Sequence, residues 1–187
     1  MIIIEGYFRV NYDHQNWQLI FEQLLSNHSS ISIINRAQIM DDSLNLAQGG
    51  LLDYDIALNL TTYLVLEKEY LPWESALSSL KYMASMMSRS SGYGHLKVNS
   101  FGSSISLNGW IHLTLINASE SWQKHMKKLL LPLYSLVGFN DSPLDAHLTI
   151  YKRINAVSWT CSMGHSDCVA NAVSTYKRWM ADPDNIE

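Results

Sequence analysis

Seven histidines and two cysteines are the residues of this chain with most to offer chemically, and their spacing decides how much. A zinc peptidase helix needs two His at i and i+4 with a Glu between them, so that all three side chains reach one metal and its water. His14, His28, His95, His112, His125, His147 and His165 never approach that spacing. Cys161 and Cys168, in CSMGHSDC, suit either a local disulfide between two helix ends or two small core residues. Even with His165 between them they fall short of the about four ligands of a closed zinc site. A Cys161–His165 nucleophile can be drawn, but it has no third group to orient the imidazole. Asp41 and Asp42 are adjacent, so on a helix they point ~100° apart. That favours a solvated or hydrogen-bonded face over a shared carboxylate site. There is no Cys-x-x-Cys pair and no Gly-rich phosphate loop, and GYGH at Gly92 reads as a turn. The sequence therefore assigns no catalytic residue and no metal ligand.

Composition narrows the remaining classes. Apolar residues make up 47% and charged residues 16%, the balance of a folded chain. The net charge of −4 comes with no basic stripe and interleaved aromatics, so nucleic acid is excluded as a partner. No apolar run approaches the ~20 residues of a membrane span. The start MIIIEG has neither the charged end nor the length of a signal peptide.

The elements that would position these residues are mostly helical. EGYFRVNYD, from Glu5, alternates like a short strand with no partner before it. The period then switches to 3.6. Trp17, Ile20, Phe21, Leu24 and Leu25 form one stripe. Ile33, Ala37, Met40, Leu44 and Ala47 form another, stopped at Gly49 and Gly50. Asp53 is a plausible cap for a helix carrying Ile56, Leu60, Tyr63 and Leu64. Pro72 sits in the first turn of a helix lined by Trp73, Ala76, Leu77, Leu80, Met83, Ala84 and Met87. KHMKKLLLPLYSLVGF is helical with a kink or break expected at Pro132. Two more helices fall near 144–162 and 166–180, the last with a core stripe of Val169, Ala172, Val173, Tyr176 and Trp179. The expected fold is mainly α: an irregular antiparallel helical-hairpin array, solenoid-like, with one short N-terminal β-strand. No repeat of fixed period appears.

Residues 98–123 interrupt this pattern with Ser, Gly and Asn. Asn108-Gly109 is a strong hairpin signal, yet neither face of the hairpin it would make is cleanly apolar. The segment reads as a loop or weak hairpin. Asn-x-Ser/Thr triplets stand at Asn27, Asn59, Asn117 and Asn140, and Pro143 makes the last a poor acceptor.

Several ordered blocks carry a family resemblance. GYFRVNYD with NW, then NRAQIMDDSLNLAQGG, EYLPW, SPLDAHLTIYKRINAVSWTCSMGHSDCV and YKRWMADPDN resemble the C-terminal helical region of aminopeptidase N-type zinc aminopeptidases, insect-like membrane alanyl aminopeptidases included. The blocks cover nearly the whole chain apart from 98–123. The resemblance implies that residues 1–13 are a remnant strand of a β-sandwich module, and that 14–187 are the N-terminal part of the helical domain with an atypical insert at 98–123. In that family the zinc-binding helix, the motif holding the substrate's amino terminus and the transition-state Tyr lie upstream. None of them has a counterpart here, so zinc belongs to the full-length family and not to this chain. The implied role is to cap the active site and limit peptide access, with the catalytic domain and the peptide substrate as partners. The resemblance also implies that several later helices are missing, which would leave core faces of the array exposed, and that the chain alone is inactive.

A disulfide between Cys161 and Cys168 follows from the same resemblance, as does an extracellular, plasma-membrane or luminal home for the parent protein. In that setting Asn27 and Asn59 become candidate glycosylation sites. Removing 98–123 restores a continuous family pattern, and Lys97-Val98 and Gln123 can be encoded as splice-site ends. The segment is then either a retained short intron or a real loop, and spliced reads that skip it decide for the first. The alternative for the whole chain is a stand-alone helical scaffold that binds a protein partner.

Overall fold

The computed structural model describes residues 8–88 and 111–183. Helix α1 (His14–Asn27) begins where Asp13 turns its carboxylate onto the Asn16 N–H at 2.8 Å, satisfying one orphan donor of the first turn. It buries Trp17 and Leu24 and ends in a short 3-10 turn, His28–Ser30. Ser32 caps α2 (Ile33–Gln48) in the same way. The stop at the glycines has a clear geometry. Gly50, at φ 71°, lets the Gly50 N–H reach Ala47 O and the Leu51 N–H reach Leu46 O, so two terminal carbonyls are satisfied.

Helix α3 (Tyr54–Thr61) starts at Asp53, which caps through its backbone carbonyl and not through its side chain. It runs into a second 3-10 turn, Thr62–Val65. Pro72 lies in the first turn of α4 (Tyr70–Ser88), where its missing N–H has no partner to lose. The remaining helices are α5 (Ile111–Val137), α6 (His147–Ser162) and α7 (Ser166–Ala181). Gly164, at φ 73°, repeats the glycine stop between α6 and α7, and a disulfide joins Cys161 to Cys168 across it with Cα atoms 5.1 Å apart.

The helices form the expected array. α2 packs on α3 and most extensively on α4; α4 meets α6; α6 lies on α5 and α7. One apolar cluster runs through these contacts, with Trp17, Met40, Leu60, Leu64, Trp73, Leu80, Met126 and Leu130 among its members. Each fully buried side chain of this size contributes about 1.5–3 kcal/mol relative to exposure.

Four expectations need correction. Residues 8–13 form no strand, and residues before them lie outside the described ones. Among the described residues no sheet is present to receive them: the Val10 N–H goes instead to the Asp42 carboxylate on α2. Pro132 does not break α5, which continues to Val137. The proline sits on the exposed side of the helix, as does Lys128 one turn before it, while Leu129, Leu130 and Leu133 hold the buried side.

The segment 98–123 is not all loop. Its Asn108-Gly109 centre lies outside the described residues, but 111–123 belong to α5 and Trp122 is buried in the core. Finally, the apolar stripe of α7 is not core. Val169, Val173, Tyr176 and Trp179 are exposed, and Cys168 is the buried residue of this helix. Val173→Glu is accordingly expected to change the free energy of unfolding by less than about 0.5 kcal/mol in urea titrations, whereas a buried stripe position would lose several.

Candidate functional site

The most constrained polar arrangement joins α2 to the link before α4. Arg36 lies on the inner face of α2, one turn before Met40, and is only 5% exposed. Its Nε donates to Glu67 Oε2 at 2.6 Å and its Nη2 to Glu67 Oε1 at 3.2 Å. Its Nη1 donates to the carbonyls of Ile31 at 2.6 Å and His28 at 3.3 Å. Glu67, 3% exposed, also accepts from the Tyr63 hydroxyl at 3.3 Å and from the Lys68 and Glu69 N–H groups at 3.0 Å. Trp73 Nε1 closes the arrangement on the Glu67 carbonyl at 3.1 Å.

Burial pushes the Glu67 carboxyl up. The Arg36 hydrogen bond and then the Glu69 N–H outweigh it, so the group is held below the usual carboxylate range. Burial first, and the Glu67 charge second, push the Tyr63 hydroxyl far up, leaving it a neutral donor. Beside this clasp runs a groove of about 710 Å³ whose walls include Leu25, Ser29, Glu69, Pro132 and Leu136. The donors of Arg36 and the acceptors of Glu67 are already engaged inside the protein. The arrangement can fix the 28–31 turn and the 66–69 link to α2; it offers no free nucleophile, acid or base.

Two further polar joints secure the second half. Arg153, 6% exposed, donates from Nε to Val137 O at 2.9 Å and from Nη1 to Asp141 at 3.0 Å and Asp145 at 2.5 Å. The Arg153 bond first, and the Ser142 N–H second, hold the Asp145 carboxyl below its usual range. Tyr134 on α5 donates to Asp167 on α7 at 2.8 Å, with the His165 ring 5.7 Å from the Tyr134 ring. None of these pairings was visible in the sequence, except that Arg36 falls on an otherwise apolar stripe.

Among the described residues, the histidines singled out in the sequence do not gather into one site. His14 opens α1, and His147 opens α6 with its ring against Tyr151 at 4.8 Å. His28 lies in the first 3-10 turn, 6.2 Å from the Tyr63 ring. His125 meets Thr61 at 3.3 Å. Thr61 gives its own proton to Leu58 O at 2.7 Å, so it accepts and the neutral imidazole carries its proton on Nε2. His95, and the side chain of His112, lie outside the described residues. Among the described residues no three His, Cys, Asp or Glu side chains come together as a metal would require, so they do not fit a zinc site.

Cys161 is bonded to Cys168, which removes it as a free nucleophile. Asp41 and Asp42 do diverge: Asp41 pairs with Arg9 and Asn45, and Asp42 with Val10 and Gln38. The side chains of Asn27 and Asn59 are both exposed.

A family model described as the ERAP1-like C-terminal domain matches the chain over residues 5–105 and 105–187. Aminopeptidase N of Homo sapiens is 36% identical over 97% of this chain, and the match covers 16% of that protein. Aminopeptidase N of Rattus norvegicus is 37% identical over 98% of the chain and 17% of its own length. That of the moth Plutella xylostella is 34% identical over 95% and 16%. The chain thus spans only a small part of each relative's length.

Proposed function

As this chain belongs to the ERAP1-like C-terminal domain family, we propose that it is the access-limiting helical part of a metallo-aminopeptidase, and not the part that performs catalysis. The observation that carries the proposal is the match of nearly the whole chain to a small share of aminopeptidase N. The engaged clasp of Arg36 and Glu67 supports it, because such a joint serves shape and not turnover. In the full-length enzyme, zinc and the residues that hold the peptide's amino terminus reside in other modules. The helical array then stands over the active site and restricts which peptides reach it. The exposed apolar face of α7 is where further helices would continue the array. The Cys161–Cys168 bond supports an extracellular or luminal setting, with the exposed Asn27 and Asn59 as glycan acceptors.

Two measurements test this. The purified chain is expected to release no product from an N-terminal alanyl anilide above blank, with or without added zinc. Turnover that a chelator abolishes would overturn the assignment. Grafting residues 8–183 in place of the matching segment of a full-length aminopeptidase N is expected to change the ratio of kcat/KM for long over short peptides. An unchanged ratio in a folded, zinc-loaded chimera would remove the access role.

A further inference from the structure

The Cys161–Cys168 bond joins α6 to a helix that has little else to hold it. Helix α7 buries one described residue, Cys168, at 0% exposure. Val169, Val173, Tyr176, Trp179 and Met180 are all exposed. Besides the bond, Tyr134 donates its hydroxyl to Asp167 and meets the Asn171 side chain, both within the first two turns of α7. A helix of 16 residues with so little burial is marginal in water by itself. Its place on α6 therefore depends on the cystine.

The two sulfurs are not equivalent. Cys161 is half-buried in the last turn of α6, at the carbonyl end of that helix. Cys168 is fully buried in the first turn of α7, whose cap residue His165 makes no side-chain bond to the free N–H groups. A nucleophile therefore reaches Cys161 first, and a thiolate leaving from Cys168 faces the positive end of a helix. We propose that Cys161–Cys168 is a redox-operated pin: two-electron reduction by a dithiol, entering at Cys161, frees α7 from the array.

One thiolate of the reductant attacks Cys161 Sγ, the Sγ–Sγ bond breaks, and Cys168 leaves as a thiolate. Cys168 then takes up a proton, and Val157 O, 3.4 Å from its sulfur, accepts the new S–H. The second thiol of the reductant, deprotonated, attacks the sulfur now joined to Cys161. That step closes a cyclic disulfide on the reductant and releases Cys161, which is protonated in turn. The cystine gains two electrons and two protons, and the dithiol loses the same. A weak S–H bond then stands where a covalent one stood, and α7 pivots at the turn through Gly164.

Hydrogen exchange of the intact chain before and after treatment with about 10 mM dithiothreitol tests the pin. The Val169 and Val173 amides of α7 are expected to lose protection about tenfold or more, while Leu129 in α5 changes by less than about twofold. Early acid quenching of the folded chain's reaction with glutathione, followed by fragmentation mass spectrometry, is expected to place the adduct on Cys161. Unchanged α7 protection, an equal fall at Leu129, a bond that dithiothreitol leaves intact in the folded chain, or an adduct on Cys168 overturns the proposal. Cys161→Ser combined with Cys168→Ser is expected to show the reduced exchange pattern with no reductant present. Protection in that variant equal to the oxidised wild type also overturns the pin. Should the variant fail to fold, the reduced wild type decides.

Discussion

Arg36→Ala is expected to lower the free energy of unfolding by about 3–5 kcal/mol, the cost of leaving one member of a buried ion pair alone. The loss should be large because Glu67 is left 3% exposed with only the Tyr63, Lys68 and Glu69 donors around it. The His28 and Ile31 carbonyls lose their partner at the same time. Acid sharpens the test. In the wild type Glu67 is held below its usual range, so its contribution is fully present above the unfolded carboxylate value of about 4.3. That contribution fades as pH falls through the folded value. In Arg36→Ala burial is opposed only by the Glu69 and Lys68 N–H groups, so the sign is expected to reverse and protonating Glu67 to restore stability to the variant. The gap between the two proteins should therefore narrow from pH 7 to about pH 4 in urea titrations. A deficit under about 1 kcal/mol, or one that acid leaves unchanged, would show that the clasp does not hold the fold.

The array was legible because each helix declares itself locally. Trp17 and Leu24, or Met40, Leu44 and Ala47, recur at the period of a helix and are buried as that period requires. The glycine stop at Gly50 marks an end through short-range hydrogen bonds, as its spacing implied, whereas the caps at Asp13 and Ser32 came only with the structure. The clasp was not legible, because Arg36 and Glu67 stand 31 residues apart and no periodicity couples them. The same limit hid Arg153, whose carboxylate partners lie in an irregular loop. The α7 stripe misled for the opposite reason. An amphipathic pattern tells which face of a helix seeks cover, and Val173 and Trp179 show that the cover need not lie among the described residues. Pro132 shows the converse. A rule that breaks helices holds for a buried, crowded turn and loses its force where the proline lies on the exposed face.

Trp122→Ala is the second large effect, with an expected loss of about 3–5 kcal/mol in thermal or urea unfolding. Trp122 is 7% exposed and belongs to the core cluster. It precedes Met126, Leu129, Leu130 and Leu133 at helical spacing, and these side chains are 0%, 1%, 0% and 1% exposed. Truncating it removes an aromatic side chain from a packed stripe, and the rigid helix on either side cannot collapse to fill the space. Leu136→Ala, on the outer side of the same helix at 52% exposure, controls for helix propensity and should cost far less. The comparison bears on the interruption at 98–123, whose final residues include Trp122. Were these final residues an insert that stands outside the packed core, Trp122→Ala would be as mild as Leu136→Ala. A loss several times that of the control instead shows that Trp122 and the start of the buried stripe are part of the packed core.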